Sequence, residues 1–393
     1  MRDDDAFILS AARLPTGRFL GALAELTAPD LGARAVAAAV ERAAVDPATI
    51  DEVILGNVVQ AGVGQAPARQ AAVRGGVPAA VPATTINKVC GSGLKAVMLA
   101  AQAIRAGDGD LFVAGGMESM SSAPYLLSKA RQGYRLGDGK VEDSVIHDGL
   151  WCSFGDEHMG LCAERIAGCF DVSRDEQDRL ALESHQKAIA AIERGAFAEE
   201  IVPVELAGRK GTTVVDRDEP PRADTSLEAL ARLSPAFEPG GCVTAGNAPG
   251  LSDGAAALVV ASGRRLRELG RAPLARIAGY AQAAREPAMI FAAPPLAIGK
   301  LLAGQGRAIA DYDLIELNEA FAAQVLANHR ELDWDWRRFN VNGGAIALGH
   351  PIGASGARVL VTLIHALRAR GGGRGLASLC LGGGGAVALS VEV

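Results

Sequence analysis

Asp51-Glu52-Val53-Ile54-Leu55-Gly56-Asn57 and Tyr312-Asp313-Leu314-Ile315-Glu316-Leu317-Asn318 are two versions of one pattern, a short apolar strand running into an asparagine. The doubling continues downstream. Ser92-Gly93-Leu94-Lys95-Ala96-Val97 matches Ser355-Gly356-Ala357-Arg358-Val359-Leu360, each set opening an apolar helix, and the two correspondences are offset by 261 and 263 positions. The strand ending at Gly115-Gly116 matches the one ending at Gly382-Gly383, and residues 255–260 match residues 386–391. A chain that writes the same strand and helix order twice is a duplicated α/β unit. From Gly115 to Ala255 is 140 positions, whereas from Gly382 to Ala386 is only 4, so the first copy carries a large excursion. The short link in the second copy requires antiparallel neighbours, while the earlier strand–helix alternation requires parallel crossovers. Each half is therefore expected to be a mixed five-stranded sheet with helices. The division is 1–120 plus 251–271, an inserted loop or lid region at 121–250 holding one amphipathic helix near 174–194, and 272–393.

Composition sets the outer limits. At 393 residues the chain fits two or three domains, and 49% hydrophobic residues with only 4% aromatics favour close helix and strand packing over a few large aromatic clusters. A net charge of −6 argues against sequence-independent nucleic-acid binding, which needs a basic face. The six cysteines, at 90, 152, 162, 169, 242 and 380, form no C-x-x-C pair or zinc spacing, so no metal site is indicated and a reduced compartment is expected. Met1-Arg2-Asp3-Asp4-Asp5 lacks the features of a signal peptide, no apolar run approaches a membrane span, and Val391-Glu392-Val393 is not a peroxisomal address. A cytoplasmic location and no membrane partner are expected.

Four positions carry candidate chemistry. In Asn87-Lys88-Val89-Cys90-Gly91-Ser92-Gly93-Leu94-Lys95, a thiol stands between a strand-like and a helix-like run, where unpaired N–H groups at a helix start favour thiolate. The alternative is a buried structural cysteine. Gly349-His350-Pro351-Ile352-Gly353-Ala354-Ser355-Gly356 offers His350 as a base or as a loop-packing side chain. Cys380 closes the apolar run 376–381 and precedes Gly382 to Gly385, glycines that expose backbone N–H groups or make a hairpin turn. Asn318 suits the orientation of a water or oxyanion, or the N-cap of the following helix.

These four segments, in this order and spacing, resemble the thiolases, which make or cleave a carbon–carbon bond between acyl-CoA units. Gly115-Gly116-Met117-Glu118-Ser119-Met120-Ser121, Thr244-Ala245-Gly246-Asn247 and Asp253-Gly254-Ala255-Ala256-Ala257 agree, so the resemblance spans nearly the whole chain. It implies a nucleophile at the junction of the two halves beneath a loop domain. It also implies that His350 takes the proton of Cys90, that Cys90 becomes acylated, and that Cys380 removes a proton from a second acetyl-CoA. One oxyanion hole would use His350 and a water on Asn318, the other the N–H groups of Cys90 and Gly382. The implied CoA contacts are Leu150, His158 and Met159 along the pantetheine, Arg222 near the nucleotide, Phe237 and Ala245 beside the chain, and Ala320 and Phe321 in the wall. CoA is substrate and product, and no cofactor is implied.

His158-Met159-Gly160 resembles the short-chain, acetoacetyl-CoA type, and residues 128–150 resemble the loop that ties dimers into tetramers. The alternatives are a degradative 3-ketoacyl-CoA thiolase of broader chain length and a non-catalytic CoA-binding relative. A decarboxylating ketosynthase normally needs a second histidine where this chain has Asn318 and Cys380. Two departures stand out. Pro249 replaces a serine usual in the short-chain type, and Gly385-Ala386 replaces a bulkier residue followed by glycine.

Overall fold

A computed structural model describes residues 2–208 and 211–393. In the N-terminal half the principal elements are β1 (Ala6–Arg13), α1 (Ala28–Ala43), β2 (Glu52–Gly56), α2 (Pro67–Arg74), β3 (Ala83–Ile86), α3 (Ser92–Ala106) and β4 (Leu111–Ser119). The excursion holds α4 (Met159–Cys169) and α5 (Arg174–Glu193), and the chain then re-enters the sheet as β5 (Ser252–Ser262). The C-terminal half is β6 (Ala275–Ala284), α6 (Pro294–Gln305), β7 (Leu314–Leu317), α7 (Ala322–Leu332), α8 (Ile352–Arg368), β8 (Arg374–Leu381) and β9 (Gly385–Glu392).

The sheet order is β7-β8-β9-β6-β1-β5-β4-β2-β3, with Gly17–Arg18 pairing beside β5. As expected, β2 runs parallel to β3 and β4, β7 parallel to β8, and β8 antiparallel to β9. One feature goes beyond the sequence reading and one corrects it. The two half-sheets join edge to edge through β1 and β6, at Phe7 with Arg276 and Ile8 with Ala275. The C-terminal half has four strands, its fifth being reduced to a single parallel bridge between Ile315 and Phe339.

The strands are buried on both faces, which is why they read as continuous apolar runs. Along β1, Ala6, Ile8 and Ala11 face one core while Phe7, Leu9 and Ala12 face another. The first core takes α3 and α8 together with inner faces of both half-sheets, and the outer cores take α1 and α2 on one side and α6 and α7 on the other. The result is a helix–sheet–helix–sheet–helix layering. The two central helices cross where a Cβ on Gly93 would lie 2.6 Å from Ala357 N and a Cβ on Gly356 would collide with Leu94 N. Glycine is required on both sides of this contact, and the reciprocity follows the 263-residue repeat.

The excursion is tethered to β1 by Arg13, which is fully buried. Its Nε donates to Glu200 Oε1 at 2.6 Å, and its two Nη atoms donate to the Asp218 carboxylate at 2.7 and 2.9 Å. Such a bidentate pairing offsets much of the cost of burying a charge. Within the excursion α5 forms as expected, with Ser173 and Glu176 making a capping box. Helix α4, which the sequence reading left as loop, begins on the His158 ring as its cap and buries Met159, Cys162, Ala163 and Ile166 against Phe291 and Phe321.

Candidate active site

Strand β3 ends at Ile86, and the chain turns sharply into α3 through Val89, a β-branched residue held at φ +47°. That conformation costs on the order of 1–3 kcal/mol and persists only where the surroundings over-determine it. Here they do. Asn87 Oδ1 accepts from Val89 N at 2.9 Å, Ser92 Oγ donates to Val89 O at 2.6 Å, and Lys88 N donates to Ser92 Oγ at 2.8 Å. The next residue, Cys90, is thereby presented at the start of α3.

Cys90, His350, Cys380 and the backbone of Gly382 line one cavity of about 420 Å³. Cys380 is the penultimate residue of β8, and the turn that follows uses Gly383 and Gly384 at φ +83° and +89° to fold back into β9. The hairpin and the exposed N–H are thus the same feature, because the backbone N–H groups of Gly382 and of Cys90 itself both favour the Cys90 thiolate. Ala386, one of the departures, is the cross-strand partner of Cys380.

His350 is buried and sits just ahead of α8. Ser355 Oγ lies 2.9 Å from Pro351 O, to which it donates, so it accepts from the His350 Nδ1–H at 2.6 Å. This leaves Nε2 as the basic nitrogen, and Asn318 Nδ2 lies 3.3 Å from it. The N-cap reading of Asn318 does not apply, because α7 begins after Phe321 without a side-chain cap. Asn318 Oδ1 is buried with no partner among the described residues, a polar atom free to hold water or substrate.

Electrostatics corrects one expectation. The helix start was expected to favour thiolate at Cys90, but burial dominates and pushes the thiol up to about 12, with Glu118 adding to the rise and the two N–H groups opposing it. Cys380 is raised further by burial and by its proximity to Cys90. Burial and the charge of Arg358 push His350 down to about 3. At rest the site therefore holds two thiols and a neutral imidazole, and ionisation must accompany reaction.

The remaining anticipated residues divide between two connected spaces. Leu150, His158, Met159, Phe237, Ala245, Ala320 and Phe321 line the Cys90 cavity. Its wall is an aromatic series, His158 stacked on Phe237 at 4.8 Å, Phe237 edge-on to Phe321 at 6.2 Å, and Phe321 edge-on to Phe291 at 5.2 Å. His158 has both of its anticipated characters, since Nδ1 caps α4 through Gly160 N at 3.0 Å while the ring lines the cavity. Arg222 lies instead in an adjoining groove of about 580 Å³ with Arg18, and this groove shares Ala245, Ala248, Gly250 and Leu251 with the cavity. Pro249 lines the cavity at this junction.

Sequence reasoning missed Ser355, Val89, Phe291 and Glu118. Ser355 and Glu118 stood inside quoted segments, but their contacts come from other turns and strands. Among the described residues no group of three or more His, Cys, Asp and Glu side chains is arranged to hold a metal ion.

The thiolase N-terminal domain family matches residues 6–264 and the thiolase C-terminal domain family residues 271–393. The chain is 54% identical over 388 residues to an acetyl-CoA acetyltransferase of Pseudomonas aeruginosa, covering 98% of this chain and 99% of the relative. It is 55% identical over 386 residues to one of Escherichia coli (strain K12), covering 98% of each. The crystal structure of the Bacillus anthracis acetyl-CoA acetyltransferase superposes with a TM-score of 0.97 at 45% identity, covering 99% of this chain and 98% of that one.

Proposed function

The chain belongs to the thiolase family, and from that premise we propose that it is an acetyl-CoA acetyltransferase, interconverting two acetyl-CoA with acetoacetyl-CoA and CoA through an acetyl group on Cys90. The observation that carries this reading is the convergence of Cys90, Cys380, His350 and Gly382 on one largely apolar cavity that opens into a groove bearing Arg18 and Arg222.

In the synthetic direction the Cys90 proton passes to His350 Nε2 as the sulfur attacks the acetyl-CoA carbonyl. Both groups are neutral at rest, so this transfer avoids leaving a bare thiolate in a site that disfavours it. The oxyanion forms against the N–H groups of Cys90 and Gly382, CoA leaves with the thiol proton of Cys380, and Cys90 carries the acetyl group while Cys380 is left as a thiolate paired with the protonated His350. A second acetyl-CoA then loses a methyl proton to Cys380, and its enolate oxygen is stabilised by His350 and a water on Asn318. The new carbon–carbon bond displaces the Cys90 sulfur, which takes its proton back from His350 and restores the resting site. Loss of one such oxyanion donor commonly costs about 10²–10³ in rate.

The shared residues Ala245, Ala248, Gly250 and Leu251 support a continuous path for CoA, with its anionic nucleotide at Arg222 and Arg18 and its pantetheine in the cavity. A cavity of about 420 Å³ lies toward the small end of the roughly 300–1,000 Å³ usual for ligand sites. With pantetheine in place it leaves room for a short acyl group, which favours the acetoacetyl-CoA type over a broader degradative one. CoA enters as substrate and product, without a further cofactor. The proposal extends to a cytoplasmic homotetramer. No helix of the described residues is long and apolar enough to cross a membrane, and Tyr125, Leu127 and Leu136 are exposed apolar side chains that another copy would cover.

The test is thiolysis by the purified protein of acetoacetyl-CoA beside a longer 3-ketoacyl-CoA, with Cys90→Ala as control. Cys90-dependent cleavage of acetoacetyl-CoA well above that of the longer substrate is expected. Preference for the longer one would move the protein to the degradative class, and turnover of neither would defeat the reading.

A further inference from the structure

Gly353 follows Cys90 by 263 positions, the interval that also separates Ser92 from Ser355. The reciprocal contact of Gly93 and Gly356 makes this correspondence spatial, since α3 and α8 meet as near-equivalent helices. What faces the start of α8 in the N-terminal half is thus the counterpart of what faces the start of α3 in the C-terminal half. Cys90 meets the Gly382 backbone and an open cavity lined by His350, beside which Asn318 lies. Gly353 meets Glu118, whose other oxygen is held by Asn57, the repeat partner of Asn318.

Glu118 is fully buried and forms no ion pair among the described residues. Its Oε2 accepts from Gly353 N at 2.9 Å and Val58 N at 3.0 Å, and its Oε1 from Asn57 Nδ2 at 2.7 Å and Val59 N at 3.2 Å. Three backbone donors and one amide surround a single carboxyl and favour its anion against the burial that pushes it up to about 7, a hole for an anion occupied from within. The contacts bridge the two halves. Gly353 is three residues beyond His350, and Val58 and Val59 belong to the small apolar cluster against which Val89 and Cys90 pack.

We propose that Glu118 is the built-in occupant of a second oxyanion-type hole, the counterpart of the reacting centre in the other half, and acts as a positioning residue that locks the His350 turn onto the loop beside Cys90. The positioning role rests on the reading of Cys90 and His350 as the reacting pair; the hole itself does not.

The test is Glu118→Ala, which leaves four donors around a space the size of a small carboxylate. The probe is formate, with chloride at equal ionic strength as control. For the folded variant we expect a lowered thermal midpoint that formate raises saturably and chloride does not, and no such response in the wild type. In thiolysis of acetoacetyl-CoA its kcat should fall by about a hundredfold, the scale expected for a reacting group displaced by about 1 Å, with KM little changed and kcat partly restored by formate. A folded variant whose midpoint and kcat both ignore formate overturns the proposal. A formate-dependent midpoint without recovery of kcat supports the hole and rejects the positioning role. If Glu118→Ala does not fold, Glu118→Gln decides, because its amide N–H group must oppose one of the four donors; reduced kcat at unchanged KM is expected, and wild-type kcat overturns the proposal. A wild-type protein inactive on acetoacetyl-CoA defeats the proposed reaction and the positioning role, while the midpoint response to formate still judges the hole.

Discussion

At the start of α3 the backbone presents a thiol to two N–H groups and an apolar cavity, with an unpartnered amide oxygen on Asn318 in the same neighbourhood. At the start of α8 the equivalent backbone presents Gly353 to a carboxylate that already uses four donors. One concavity is completed by the chain itself; the other is left incomplete and carries strain at Val89. The difference shows how a duplicated scaffold can divide its labour. Satisfied donors hold the halves in register, and an unpartnered acceptor, Asn318 Oδ1, is retained near a strained turn where a water or substrate will supply the missing partner.

The comparison breaks first at Cys90. Cys90→Ala should lower thiolysis by on the order of 10⁴ or more in steady-state assays, since the acetyl carrier is gone. Cys380→Ala should separate the two half-reactions, accepting an acetyl label from acetyl-CoA at Cys90 while condensation falls to near background; normal condensation would remove Cys380 from its assigned role. Asn318→Ala takes away the donor beside His350 and the free acceptor, and a fall of about a hundredfold in kcat is expected.

On the closed side, Gly353→Ala would put a Cβ 2.7 Å from both Glu118 Oε2 and Met117 O and 3.0 Å from Asn57 Cα. Backbone cannot yield there cheaply, so denaturant unfolding should show a loss of about 1–3 kcal/mol. A second effect on stability concerns pH. His350 is pushed down to about 3 from 6.5, chiefly by burial. Between those values the unfolded chain binds a proton that the folded chain refuses, so this stabilisation is complete above about pH 6.5 and is lost as pH falls toward 3. In His350→Asn the acid-induced loss of stability should be shallower by up to one proton, about 1.4 kcal/mol per pH unit, as measured by urea unfolding across that window.

Much of the architecture was legible because it is written twice. The strand–asparagine and Ser-Gly–helix pairs reveal the duplication, and the four-residue link from Gly382 to Ala386 requires the β8–β9 hairpin. The β1–β6 junction was not legible, because two edge strands meeting over two residue pairs leave no local mark in composition. Helix α4 escaped because Gly160 and Gly168 weaken its pattern and its cap is a histidine ring. In the site, residue types and spacing offered Cys90, His350 and Cys380 as candidates and the family resemblance supplied their roles and that of Gly382; the fold brings all four to one cavity. Their ionisation states were beyond reach, since desolvation in the folded chain outweighs the helix start at Cys90. Ser355 was hidden for a related reason, as its bond to His350 depends on the turn through Pro351.

The most direct test of the central claim is intact-protein mass spectrometry with peptide mapping after brief exposure to acetyl-CoA and removal of free CoA. One added acetyl group on Cys90 in the wild type, retained in Cys380→Ala and absent from Cys90→Ala, is the predicted result. An unmodified wild-type protein that nevertheless turns over acetoacetyl-CoA, or an acetyl group on any other residue, would contradict the account.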